Sequence, residues 1–146
     1  MKAWIGIDPG ATGACAIIWE DGKVEVHDYD EGYCPFSWED EVLFSAAIEK
    51  AMVMPKQGIS SSGKFMTNYG RWLGRLQMAG IKVDIVTPQK WKKVMFDSAP
   101  KQDPKEMARL RAIRLFPGLS MLLKRKKDHG RAEALLIAEY CRRMNS

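Results

Sequence analysis

Four carboxylates and one imidazole stand where their chemistry could be used. Asp8 closes the apolar run 2–8 (KAWIGID), just before Pro9-Gly10. Glu49 interrupts another apolar segment, between Ile48 and Lys50, and Asp128, His129 and Glu133 cluster where the last amphipathic segment begins. A carboxylate taken out of water is costly unless it is paired or bound to a cation. Neither Asp8 nor Glu49 has an Arg or Lys in register on the same strand face, so the pattern points to a divalent metal. An oxygen-rich donor set of this kind favours magnesium or manganese over zinc. Two histidines and three well-separated cysteines (Cys15, Cys34 and Cys141) make neither a zinc site nor a disulfide framework. Free thiols suit a reducing cytoplasm.

Spacing constrains the set further. His129 and Glu133 are four residues apart and share a helix face. Asp128 and Glu133, five apart, would diverge by roughly 140° if both were helical, so Asp128 reaches the same metal only from a cap or loop. Each acid also has a plain structural reading. Asp8 suits a turn before Pro-Gly, Glu49 a strand-end surface and Asp128 a helix N-cap. It is the joint arrangement of Asp8, Glu49, Asp128, His129 and Glu133 that favours a metal site. Other chemistries fare worse. Ser60, Ser61 and Ser62 have no adjacent histidine, and DPGATG (8–13) lacks the Lys and Ser/Thr of a phosphate-binding P-loop.

The elements that must position these residues can be read from periodicity. Residues 2–8, 13–20 and 23–29 form three strands, the last two joined by the hairpin signal Asp21-Gly22. Residues 30–41 are acidic and irregular. Residues 42–50 read as a fourth strand carrying Glu49, and 55–64 (PKQGISSSGK) as a flexible loop. A helix over 67–78 ends at Gly80, a strand follows at 81–88, and 89–94 make one helical turn. After a polar loop at 97–104 come a helix at 105–115 and a last helix from about 128 to 143, with Ala134, Ile137 and Cys141 as its core stripe. The expected architecture is an α/β fold, one domain over 1–146, with a mixed five-stranded sheet flanked by helices.

The chain has 146 residues and a net charge of +5, unevenly distributed. Residues 1–50 carry 3 basic and 11 acidic side chains, whereas 51–146 carry 20 basic and 7 acidic. A basic excess of that size is the footprint of a polyanion-binding surface. No apolar stretch approaches the roughly 18 residues needed to cross a bilayer, and Asp8 interrupts any signal-peptide core, so no membrane partner is expected.

Taken in order, IGIDPGATGACAII (5–18), AIEKAMVMPKQG (47–58), NYGRWLGRL (68–76), VTPQKWKK (86–93) and KDHGRAEALLIAEY (127–140) resemble the successive motifs of RuvC-type Holliday junction resolvases. The resemblance implies a ribonuclease H-like fold, a homodimer, and magnesium-dependent nicking of four-way DNA junctions, with manganese as an alternative ion. It implies Asp8, Glu49 and Glu133 as metal ligands, with Asp8, Glu49, His129 and Glu133 catalytic. The family's other late acid falls at Gly130 here, leaving Asp128 or His129 to substitute. Junction DNA would be held by Lys56, Lys64, Arg71, Arg75, Lys90, Lys93, Lys126 and Lys127, with Phe65 placed to stack on a base at the crossover. Trp91 is expected in the core. The alternatives are a nuclease of the same fold acting on other branched DNA or RNA, and a junction-binding module with a degenerate acid set.

Overall fold

A computed structural model describes residues 1–52, 58–96 and 103–146. Five strands form one mixed sheet in the order β3-β2-β1-β4-β5. β1 (Lys2–Asp8), β2 (Ala14–Trp19) and β3 (Val24–Asp28) are an antiparallel meander. Its second turn contains Gly22 at φ 96°, a conformation that favours glycine. β4 (Leu43–Glu49) lies parallel to β1 and β5 (Lys82–Val86) parallel to β4. Among the described residues the helices are α1 (Ile59–Met78), α2 (Pro88–Met95), α3 (Pro104–Leu115) and α4 (His129–Met144), with 3-10 turns at Pro117–Leu122 and Lys126–Asp128.

The period-2 alternation of the strands splits the core into two layers. Ala3, Ile5, Ile7, Ala46 and Ile48 face α1 and pack with Trp72 and Leu76. Trp4, Ala14, Ala16, Ala47 and Val86 face the other way, against Trp91, Ala108, Ala112 and the length of α4. α4 lies very close to the sheet because Gly6 has no side chain. A Cβ there would come within 2.1 Å of the Ala138 amide nitrogen and 2.3 Å of the Ala134 carbonyl. Gly130 repeats the contact at the start of α4, where a Cβ would sit 2.2 Å from the Thr12 carbonyl in the β1–β2 turn. Gly130, Ala134 and Ala138 thus form a small-residue seam at i, i+4 and i+8.

Two expectations change. Residues 59–64 belong to the first turns of α1 rather than to a loop, and residues 88–95 make two turns instead of one. The Gly/Ser-rich start of α1 lacks an apolar stripe, so its helicity is decided by continuity with the amphipathic part beyond Phe65. Thr87 caps α2, its side chain accepting from the Lys90 amide, and Pro88 opens the helix. Residues 97–102 of the expected polar loop and 55–57 of the first loop lie outside the described residues.

Candidate active site

The sheet register brings the first two acids together. Ile7 pairs with Ile48, so Asp8 and Glu49, one residue further along parallel neighbours, end their strands side by side on the face covered by α4. Glu133, in the second turn of α4, stands over the same strand ends, close enough for its carboxyl and that of Asp8 to interact directly. Asp8 is 7% exposed. Burial, reinforced by the neighbouring Glu133 charge, pushes its carboxyl up to about 8. Its Oδ1 accepts from the Gly10 amide at 3.0 Å, which fixes the side chain against the turn.

Glu49 and Glu133 are also held above the usual carboxylate range, in both cases mainly by burial. The Asp8 charge raises Glu49 further, and the Glu49 charge does the same to Glu133. Glu49 Oε2 accepts from the Trp91 indole Nε1–H at 2.7 Å. His129 Nδ1 lies 3.8 Å from Glu133 Oε2 and is buried without a hydrogen-bond partner. Three carboxylates confined to one largely buried corner repel each other, which raises the pKa of each. In that arrangement no group of three His, Cys, Asp or Glu side chains among the described residues is drawn in tightly enough to hold an ion. The donor set nevertheless fits a hard divalent cation. It offers carboxylate oxygens whose desolvation such an ion would offset, and one buried ring nitrogen with nothing to bond.

Asp128 is placed elsewhere. It occupies the N-cap position of α4, but its carboxylate accepts from the Arg125 amide at 2.9 Å and from the Arg125 guanidinium at 3.1 and 3.3 Å. Arg131 lies 3.6 Å away. Burial pushes the Asp128 carboxyl up, yet Arg125 outweighs it and holds the group below the ordinary range. Of the two substitutes for the acid missing at Gly130, the structure thus brings His129 to Glu133 and ties Asp128 to the arginines. The start of α4 is further fixed by Arg131, which donates to both oxygens of Asp28 at the end of β3, at 2.8 and 2.9 Å.

The basic residues divide in the same way. Lys64, Lys90, Lys93, Lys126 and Lys127 are exposed, and Lys126 stands 3.6 Å from Asp103. Phe65 is half-buried in α1. Arg71 and Arg75 are engaged within the fold. Arg71 donates to the Tyr29 hydroxyl at 2.9 Å and pairs with Glu31, while Arg75 donates to the Asp30 and Glu31 carbonyls beneath the rings of Tyr29 and Trp72. Together they clamp the segment after β3 onto α1. Lys56 lies outside the described residues. Two residues absent from the expected site stand in electrostatic reach of it: Lys92, which lowers both Glu49 and Glu133, and Lys105, which lowers Glu133. The KWKK run hid Lys92 among its neighbours; only the orientation of α2 singles it out.

No family model matches the chain. A curated relative, the chloroplastic Holliday junction resolvase MOC1 of Chlamydomonas reinhardtii, is 34% identical over 93 residues, which is 64% of this chain and 10% of the relative. The chain therefore spans about a tenth of that relative's length. Among solved structures, T. thermophilus RuvC in complex with a Holliday junction substrate superposes with a TM-score of 0.60 at 18% identity, covering 99% of this chain and 96% of that one. Another Thermus thermophilus RuvC structure gives a TM-score of 0.54 at 18% identity, over 98% and 96%. The chain has the ribonuclease H-like fold of RuvC, with a mixed five-stranded sheet flanked by helices. Among the described residues, no helix is long and apolar enough to cross a membrane.

Proposed function

We propose that this chain is a structure-selective DNA endonuclease that resolves four-way junctions by paired nicks. The observation that carries the reading is the convergence of Asp8, Glu49 and Glu133 at adjacent strand ends under α4. The likeness to RuvC and the similarity to a resolvase support the choice of substrate.

Asp8, Glu49 and Glu133 would hold magnesium or manganese, with His129 beside them. Such ions, when bound, supply an activated water and charge stabilisation on the scissile phosphate. The protein's own part is positional. The Gly10 amide and the Trp91 indole orient Asp8 and Glu49, and the Arg131–Asp28 pair seats the helix that carries Glu133. His129, whose buried ring nitrogen has no hydrogen-bond partner within the fold, would position a water at the reacting phosphate. Lys92 and Lys105 contribute positive charge where a phosphodiester would approach the carboxylates. Phosphates further from the break would be held by Lys64, Lys90, Lys93, Lys126 and Lys127, and a base at the crossover would stack on Phe65.

Symmetric nicking requires two such sites. The exposed side of α1 offers a face for a second copy. Gly63, Gly70 and Gly74 lie along it with open space where a Cβ would point, and Met78, 88% exposed, extends it. A supercoiled plasmid that extrudes a cruciform tests the whole reading. Coordinated nicks across the junction convert it directly to linear product, whereas accumulation of open circle, or no product in either magnesium or manganese, contradicts it.

A further inference from the structure

Glu49 ends β4, and the donor to its carboxylate comes from another element. Trp91 is fully buried, its ring 6.2 Å from that of Phe96 and 5.5 Å from the Lys92 ammonium. From the capped helix α2 its Nε1–H reaches the end of β4 and donates to Glu49 Oε2 at 2.7 Å. We propose that Trp91 is a positioning residue for Glu49, its indole N–H engaging Oε2 so that Oε1 is left as the oxygen offered to a divalent cation.

The inference rests on the metal-site reading above and adds the device that orders one of its ligands. A glutamate at a strand end has three rotatable side-chain torsions, against two for Asp8, which already has the Gly10 amide. An indole N–H can donate and never accept, so it pairs with a carboxylate oxygen and cannot itself compete for the ion. It also brings no formal charge. A lysine or arginine in its place would hold Glu49 equally well but would repel a divalent cation nearby. A neutral, rigid donor fixed in the core orients the ligand without opposing the ion. Outer partners of metal ligands commonly change metal affinity by about 10–100-fold. The competing account is that a buried indole simply needs an acceptor, in which case its loss would cost stability alone.

The test uses manganese as the probe, read by thermal shift, with junction cleavage measured in parallel. The proteins are wild type, Trp91→Phe, Glu49→Gln and the double variant. Trp91→Phe keeps the ring packing and removes the donor. Its manganese midpoint is expected to rise about tenfold, with cleavage recovering at high manganese and junction affinity unchanged. In the Glu49→Gln background, Trp91→Phe should move the midpoint no further. An unchanged midpoint in Trp91→Phe, or an equal further shift in the double variant, overturns the proposal. Should Trp91→Phe fail to fold, the wild-type protein still decides. On magnesium titration the Trp91 indole N–H resonance is expected to move while that of Trp72, on the opposite face of the sheet, stays in place. A stationary Trp91 resonance overturns the proposal. A wild type that neither binds manganese nor cuts junctions overturns the metal-site reading and this inference with it. A wild type that does both, matched in every respect by Trp91→Phe, overturns this inference alone.

Discussion

Asp8 carries the conflict on which the site is built, because it is buried, faces a second carboxylate and is most stable holding a proton. Its folded-state value of about 8 lies above the ordinary carboxylate range, so the stabilisation it gives the metal-free fold is complete at acid pH. That stabilisation is lost progressively as pH rises towards and through 8, with a slope of at most about 1.4 kcal/mol per pH unit for one proton. In chelator, the melting temperature of the wild type should therefore fall between pH 5 and 8.5. That of Asp8→Asn should fall less steeply, and its metal-free stability at pH 8 should equal or exceed the wild-type value. Added manganese should raise the wild type at pH 8 and leave Asp8→Asn nearly unmoved. Thermal melts across pH, with and without manganese, check both statements; parallel pH profiles for the two proteins would contradict them.

At the scale of elements, α4 delivers Glu133 to the strand ends only because two glycines let it approach. Gly130→Asp would restore an acid at the position where the RuvC-type pattern has one. Its Cβ would meet the Thr12 carbonyl, so the expected result is a loss of about 1–3 kcal/mol in urea denaturation with no gain in cleavage. Gly6→Ala, whose Cβ would meet two backbone atoms of α4, should be worse and should lower activity through displacement of Glu133. The same packing explains what could be read from sequence. All five strands were legible because alternation, a doubly apolar run at 42–50 and the Asp21-Gly22 hairpin are local signals, and Asp8 and Glu49 stood out as acids at the ends of apolar runs. The helical start of α1 was not legible. Its Gly/Ser composition reads as loop, and tertiary continuity overrides it. Nor was the fate of Asp128, since its choice of Arg125 over the carboxylate cluster depends on a 3-10 turn that no periodicity announces. Lys92 and Lys105 were hidden for the same reason: proximity across elements leaves no mark on spacing.

The whole molecule separates charge into an acidic first third and a basic remainder, and the basic residues fall into two structural sets, exposed lysines and the engaged Arg71 and Arg75. Lys126→Ala with Lys127→Ala should weaken junction binding and reduce the slope of log affinity against log salt by about 0.9 for each phosphate no longer neutralised. Arg75→Ala removes a clamp on residues 30 and 31, and is expected to cost stability while leaving that slope unchanged. Fluorescence anisotropy across a salt series distinguishes the two; an equal change of slope in both variants would return Arg75 to the DNA surface. In the proposed function, Asp8, Glu49 and Glu133 form one cutting centre directed at branched DNA. Its most direct test is a synthetic four-way junction, each strand labelled in turn, incubated in magnesium with wild type or with Asp8→Asn, beside linear duplex and a flap. Paired nicks in opposing strands near the crossover are expected for the wild type, and for Asp8→Asn a loss of at least about a thousandfold in rate, equivalent to roughly 4 kcal/mol, with junction binding intact. Equal cutting by Asp8→Asn, or equal cutting of junction and linear duplex, would contradict it.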